Sequence, residues 1–151
     1  EALLALPYDL PGTEVTSLFK LRFLLAYRKG TKRVDPANYQ FGKIDTGNVM
    51  LLEDGHCLRD HALDACKLRG TEKLNRFAAS SLLSLIEMVD ADMAITYLPE
   101  LAAGSSLLRN TQIQLQELSN RNYREIGLAW HKGSARQTEF KLLGEFITKH
   151  H

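Results

Sequence analysis

Short apolar stretches separated by polar turns recur along this chain of 151 residues. Several of them have the length and the uninterrupted apolar character of buried β-strands. They are residues 2–6, 21–27, 49–52 and 93–98. Two more segments, residues 111–115 and 126–130, alternate polar and apolar side chains, as half-exposed strands do. Residues 75–79 are expected to add a further strand.

Three other segments are expected to form helices. The first extends from Cys57 to Arg69, after turn-forming residues 54–55 and before Gly70. The second follows Ser80 or Ser81 as its N-cap, and its buried face is expected to comprise Leu82, Leu85, Ile86 and Val89. The third, residues 136–149, is expected to bury Phe140, Leu143 and Ile147. Strands that alternate with helices predict an α/β fold with a largely parallel sheet.

The composition excludes several classes of protein. With 25% charged residues and a formal net charge of +1, the chain supplies no strong field for nucleic acid or for an anionic membrane. Its apolar runs are far shorter than the roughly 20 residues of a membrane span. The two cysteines do not suggest a secreted disulfide scaffold, which favours a reducing cytoplasm. Because the sequence begins at Glu1 inside a strand-like run, without a signal peptide, we expect it to be a piece of a longer protein.

The two cysteines, Cys57 and Cys66, are nine residues apart within the first predicted helix. At a rise of about 1.5 Å per residue, nine helical steps place their Cα atoms roughly 13 Å apart on opposite faces. A disulfide requires Cα atoms closer than about 7 Å. The cysteines therefore either never pair or pair only when the helix between them unwinds, and the second behaviour describes a redox switch.

The local chemistry of Cys57 leaves these interpretations open. In the first turn of a helix, unsatisfied amide groups and the helix dipole favour a thiolate. His56 and Arg59 add positive charge, whereas Asp60 and neighbouring acidic residues oppose it. An inert pair of core cysteines remains the simplest alternative. A zinc site built on Cys57 and His61 lacks the usual four ligands, and a cysteine hydrolase lacks a third orienting group, so we expect no metal.

The string LLEDGHCLRDHALDAC, residues 51–66, resembles the peroxide-sensing segment of the LysR-type transcriptional regulators that respond to hydrogen peroxide. The resemblance includes both cysteines, their separation, and the three residues His56, Arg59 and Asp60. It extends over most of the chain, because residues 2–7, 95–99 and 124–128 are similar to strands of the same family's regulatory domain.

This resemblance implies the fold of a type 2 periplasmic-binding-protein-like effector domain, which has two α/β lobes. Residues 1–20 would belong to the first lobe and the hinge, residues 21–125 to the second lobe, and residues 126–151 to the return strand and last helix of the first lobe. The domain would be truncated at its N-terminus. The winged helix-turn-helix that reads DNA would be absent.

The resemblance also implies the roles of the site residues. Cys57 would be the peroxidatic cysteine and Cys66 the resolving one, with His56, Arg59 and Asp60 as their immediate environment. Arg59 would donate a hydrogen bond that polarises the peroxide O–O bond. The switch would need hydrogen peroxide and no cofactor, and its product would be an intramolecular disulfide rather than an enzymatic turnover.

The same resemblance implies a cytoplasmic homo-oligomer that binds promoter DNA only through the absent N-terminal domain and does not bind a membrane. Two other functions remain open on the residues. One is a thiol peroxidase, which would use the same two cysteines catalytically. The other is a LysR-type effector domain that binds a small organic co-inducer, with incidental cysteines.

Overall fold

The computed structural model describes residues 2–6, 11–40, 44–53, 57–65, 78–118 and 123–150, with the backbone alone at 2–6, 57 and 65. Its strands and helices are β1 (Ala2–Leu6), β2 (Thr13–Arg28), α1 (Cys57–Ala65), α2 (Leu82–Asp90), β3 (Thr96–Pro99), β4 (Ile113–Glu117), β5 (Tyr123–His131) and α3 (Gln137–His150). The chain divides into two compact units, Glu1–Leu21 with Tyr123–His151, and Arg22–Asn122. Strand β2 contributes residues to both.

The first unit contains β1, β5, the N-terminal part of β2, and α3. Strands β1 and β5 are antiparallel, with Ala2 opposite Ala129. Apolar side chains from the strands and from α3 form one buried cluster, which consists of Leu18, Leu128, Trp130 and Phe140. The rings of Trp130 and Phe140 stack with their centroids 5.9 Å apart, and this contact anchors α3 to the sheet.

Helix α3 confirms the predicted C-terminal helix, but its buried face differs from the predicted one. Phe140 is buried and Ile147 is partly buried against the same cluster. The prediction that Leu143 is buried is wrong, since that side chain is 46% exposed. Gly144 is buried instead, because the stripe follows the i, i+4, i+7 positions of the helix. A Cβ on Gly144 would lie 3.1 Å from Leu18 Cδ2, so the glycine allows α3 to approach β2 closely.

In the second unit, the C-terminal part of β2 is paired on both edges. Leu25 lies opposite Tyr97 of β3 on one edge and opposite Gln116 of β4 on the other, and both pairings are antiparallel. The prediction of a largely parallel sheet is therefore wrong for the described strands. The alternation of strands and helices in a sequence indicates which segments are buried, and it does not determine the direction in which they pair.

Residues 49–52 form the centre of the second unit. They are buried, as predicted, but they make isolated parallel bridges rather than a continuous strand ladder. Val49 is bridged to Ile95, and Leu52 is bridged to Ala79. Their side chains belong to two neighbouring apolar clusters, whose buried members are Phe23, Leu25, Val49, Leu51, Ala62, Ile95 and Tyr97 in one, and Met50, Leu52, Ala79, Leu85 and Ala94 in the other.

Helix α2 confirms the predicted second helix. Leu85, Ile86 and Val89 are its buried residues, and Leu82, the fourth predicted member of this face, is partly buried. The sequence left two serines as candidate caps, and Ser81 is the N-cap, since its Oγ accepts a hydrogen bond from the Ser84 N–H at 3.1 Å.

The two serines provide a matched test of the capping interaction. We expect Ser81→Ala to lower the free energy of unfolding by about 1 kcal/mol, because an amide at the start of α2 loses its acceptor. Ser80→Ala should change it by less than about 0.5 kcal/mol, as is usual for an exposed position without a special role. Urea denaturation of both variants measures the difference, and equal losses would contradict the assignment of the cap.

A second pair of variants tests which face of α3 is buried against the sheet. We expect Phe140→Ala to cost about 3 kcal/mol or more, because it leaves a cavity beside Trp130. Leu143→Ala should cost less than about 1 kcal/mol, since much of that side chain is already in contact with water. Denaturation curves that show a larger loss for Leu143→Ala would mean that the helix presents its other face to the sheet.

Candidate functional site

Helix α1 begins at Cys57 and extends through Ala65. This confirms the N-terminal part of the helix predicted between the cysteines and places the backbone of Cys57 in the first turn. An anion is favoured there because the first amide groups of a helix lack intrahelical acceptors. His56 and Cys66 lie outside the described residues, as do the Cys57 side chain and the predicted continuation of the helix to Arg69.

One face of α1 packs on the core of the second unit. His61 and Ala62 are buried, and Leu58 is partly buried against both apolar clusters. These positions are spaced i, i+3 and i+4, which places them on one side of a helix. The sequence considered His61 as a candidate metal ligand and as a candidate partner of Cys57 in a hydrolase. The structure shows it on the packed side of α1.

Arg59 and Asp60 have different environments. The Arg59 side chain is half-buried, and its Nη1 donates a hydrogen bond to the backbone oxygen of Leu52 at 3.1 Å. Asp60 is exposed. The contact of Arg59 with the Leu52 carbonyl could not be found from sequence patterns, because every residue carries a carbonyl and only the fold selects one as the acceptor.

A cavity of about 10 Å³ lies beneath α1, lined in part by Leu58, Arg59 and Ala62. This volume is about the minimum for one water molecule. Thr96 also lines this cavity; it is fully buried, and its Oγ1 donates to the Met50 backbone oxygen at 2.7 Å. The helix is therefore closely packed over a mainly apolar floor, and Thr96 is a lining residue that the sequence did not indicate.

A second cavity in the same unit has a volume of about 410 Å³ and a polar lining that includes Arg33, Asp35 and Asp45. Both carboxylates already cap short 3₁₀ turns. A hydrogen bond from the Asn38 side chain holds the pKa of Asp35 below its ordinary value. Arg33 Nε donates to the Asp92 backbone oxygen at 2.6 Å. The polar groups of this cavity thus serve mainly the local fold.

The residues that the structure describes contain no group of three or more His, Cys, Asp or Glu side chains arranged to hold a metal ion. Within the same part of the chain, no helix combines the length and the apolar character needed to cross a membrane.

Several known proteins are similar to this chain in sequence. EstR of Acinetobacter baylyi, an HTH-type transcriptional regulator, is 36% identical over 147 residues, which cover 97% of this chain and 48% of EstR. The probable hydrogen peroxide-inducible genes activator of Mycobacterium leprae is 30% identical over 156 residues, covering 99% of this chain and 50% of that protein. OxyR of Escherichia coli, a DNA-binding transcriptional dual regulator, is 37% identical over 99 residues, covering 66% and 32%. The chain spans about half the length of the first two relatives.

Solved structures show the same fold. The reduced form of the OxyR2 regulatory domain from Vibrio vulnificus superimposes with a TM-score of 0.84 at 32% identity, covering 97% of this chain and 70% of that one. A variant of the same domain gives a TM-score of 0.89 at 33% identity, covering 99% and 72%. The LysR substrate binding domain family matches residues 2–151. The chain therefore belongs to the LysR substrate binding domain family of transcription regulators and has its periplasmic-binding-protein-like α/β fold.

Proposed function

We propose that this chain is the redox-sensing regulatory domain of a hydrogen peroxide-responsive transcription regulator of the OxyR type, switched by a disulfide between Cys57 and Cys66. The family assignment supports a regulatory role. Relatives named as hydrogen peroxide-inducible activators and the similarity to OxyR regulatory domains support the peroxide response. The resemblance of residues 51–66 to the peroxide-sensing segment supports the identity of the two thiols.

The observation that carries the proposal is the helix that begins at Cys57. Eight helical steps to Ala65 span about 12 Å. The next Cα in the chain is bonded within about 3.8 Å of that of Ala65. While α1 is intact, covalent geometry therefore keeps the Cα of Cys66 more than about 8 Å from that of Cys57, beyond the limit of about 7 Å for a disulfide. Formation of the Cys57–Cys66 disulfide therefore requires α1 to break. The redox state of the two thiols then determines whether the helix is present, which is the behaviour of a switch.

The proposed chemistry consumes one molecule of peroxide. The Cys57 thiolate attacks one peroxide oxygen, the O–O bond breaks, and Cys57 becomes a sulfenic acid while hydroxide leaves and is protonated to water. The Cys66 thiol then displaces the hydroxyl group of the sulfenic acid, so that an S–S bond forms and a second water is released. The two thiols lose two electrons in total, and peroxide gains them. No cofactor takes part.

His56, Arg59 and Asp60 are proposed as the surroundings of the reacting thiol. Arg59 would donate a hydrogen bond that polarises the O–O bond. Its contact with Leu52 uses one N–H, and a guanidinium group has five N–H donors, so one bond does not exclude a second role.

At the level of the whole protein, we propose that residues 1–20 and 126–151 belong to the first lobe of the regulatory domain and residues 21–125 form the second. The two compact units divide the chain close to these boundaries. The regulator would act in the cytoplasm as a homo-oligomer and bind promoter DNA through a separate N-terminal domain. Unwinding of α1 would alter subunit packing and pass the signal to that domain.

We expect stoichiometric peroxide to produce an intramolecular Cys57–Cys66 disulfide in the full regulator, detected by peptide mass mapping. Cys66→Ser should instead accumulate a sulfenic acid at Cys57 that dimedone traps, because the resolving thiol is absent. Cys57→Ser is the matched control and should leave Cys66 reduced under the same conditions. Two free thiols after several equivalents of peroxide would contradict the proposal.

We expect the 151-residue chain alone to show no sequence-specific DNA binding in a gel-shift assay. Phosphate contacts dominate the affinity of DNA-binding proteins, and a formal net charge of +1 supplies few of them. Specific nanomolar binding of promoter DNA by this chain would show that it contains a DNA-reading surface of its own.

A second candidate function is the binding of a small organic co-inducer. It is supported by the similarity to EstR, an HTH-type transcriptional regulator that is not named for peroxide, over 97% of this chain. A co-inducer would raise the melting temperature of the reduced protein, since a ligand that binds only the folded state stabilises it. The same stabilisation in a variant with both cysteines replaced by serine would favour this function over the disulfide switch.

A further inference from the structure

Arg59 joins α1 to the buried segment that precedes it. Its hydrogen bond ends on the carbonyl of Leu52, a buried residue that is bridged to Ala79. Hydrogen bonds of 3.1 Å from the Glu53 N–H to Ala79 O and from the Ala79 N–H to Leu51 O hold that bridge. The acceptor is therefore fixed in the core, while the donor lies on the helix between the two cysteines.

Apolar contacts hold α1 less firmly than they hold α2. Among the described side chains of α1, Ala62 is the buried apolar one and Leu58 and Leu63 are partly buried, whereas α2 fully buries Leu85, Ile86 and Val89. Stabilisation by burial scales with apolar area, and alanine has little. A hydrogen bond from a charged donor is stronger than one between neutral groups. The bond from Arg59 therefore adds a charge-assisted contact to the limited apolar contacts that hold α1 in place.

We propose that the Arg59–Leu52 hydrogen bond is a latch that stabilises the dithiol state and thereby sets the reduction potential of the Cys57–Cys66 pair. This inference rests on the proposed function. Conversion of two thiols to a disulfide releases two electrons and two protons to the oxidant, and it requires α1 to unwind. Unwinding moves Arg59 away from the Leu52 carbonyl. The latch is then present in the reduced state alone, and it makes the disulfide easier to reduce.

Arg59→Gln should shift the dithiol–disulfide equilibrium about tenfold toward the disulfide, which corresponds to a reduction potential about 30 mV more negative. The sign follows because the substitution destabilises only the reduced state. The measurement is a redox titration of the full regulator in glutathione buffers, with the Cys57–Cys66 peptide quantified by mass spectrometry. Arg59→Lys, which keeps the charge but loses the planar guanidinium, should lie between Arg59→Gln and the unaltered protein.

Loss of the positive charge of Arg59 would also shift the reduction potential, because a cation near Cys57 stabilises its thiolate. The two effects differ in their dependence on pH. Below the lower of the two thiol pKa values, once both have been measured, both cysteines are protonated, so an effect on the thiolate disappears while the latch remains. The shift caused by Arg59→Gln should therefore persist in titrations at a pH below that value.

Arg28 supplies a matched control in the same unit. Its Nη1 donates to the backbone oxygen of Asp90 at 2.6 Å, so it also ties an arginine to a carbonyl, but at the end of α2. Arg28→Gln should lower the free energy of unfolding without moving the potential of the cysteine pair. This control distinguishes a latch on α1 from a general loss of stability.

The redox titrations have four informative outcomes. A more negative potential for Arg59→Gln that persists at low pH, with Arg28→Gln unchanged, supports the latch. A normal disulfide with the same potential in the unaltered protein and in Arg59→Gln overturns the latch and leaves the proposed function intact. A shift that vanishes below the thiol pKa assigns the effect to charge and also overturns it. Failure of the unaltered protein to form a Cys57–Cys66 disulfide overturns the proposed function itself.

Discussion

A helix that begins at Cys57 and continues through Ala65 cannot coexist with a bond from Cys57 to the residue that follows Ala65. The rise of the helix separates the two Cα atoms by more than a disulfide spans. This constraint is independent of any family assignment, and the proposed switch depends on it. A chain that forms the bond gives up the helix, so one covalent bond selects between two folds of the same segment.

The surroundings of α1 are compatible with the proposed unwinding of this helix. The core beneath it is secured by antiparallel pairing of β2 with β3 and β4 and by the bridges of residues 49–52, and neither involves α1. The helix adds a face on which Ala62 and His61 are buried and Leu58 and Leu63 are partly buried, together with the contact of Arg59 with Leu52. We therefore expect the sheet of the second unit to persist when α1 unwinds, because the pairing of its described strands does not include that helix.

The sequence predicted helices better than it predicted strand pairing. Periodicity gave the buried face of α2 correctly, since burial of Leu85, Ile86 and Val89 follows directly from helical spacing. In α3 it was wrong for Leu143, because the buried stripe passes instead through Gly144, a residue without a hydrophobic side chain to signal it. It also failed for the sheet, because local patterns do not encode pairing direction. The Arg59–Leu52 contact joins a side chain to a backbone carbonyl and left no trace in the pattern.

Amide hydrogen exchange across Cys57–Ala65, compared between the reduced and the peroxide-oxidised regulator, tests the central claim most directly. The account predicts that the amides of residues 61–65, which have acceptors within α1, are protected in the reduced protein and lose that protection when the disulfide forms, while those of residues 85–90 in α2 remain protected. Equal protection of α1 in both states, in a sample that mass spectrometry shows to contain the Cys57–Cys66 disulfide, would contradict it.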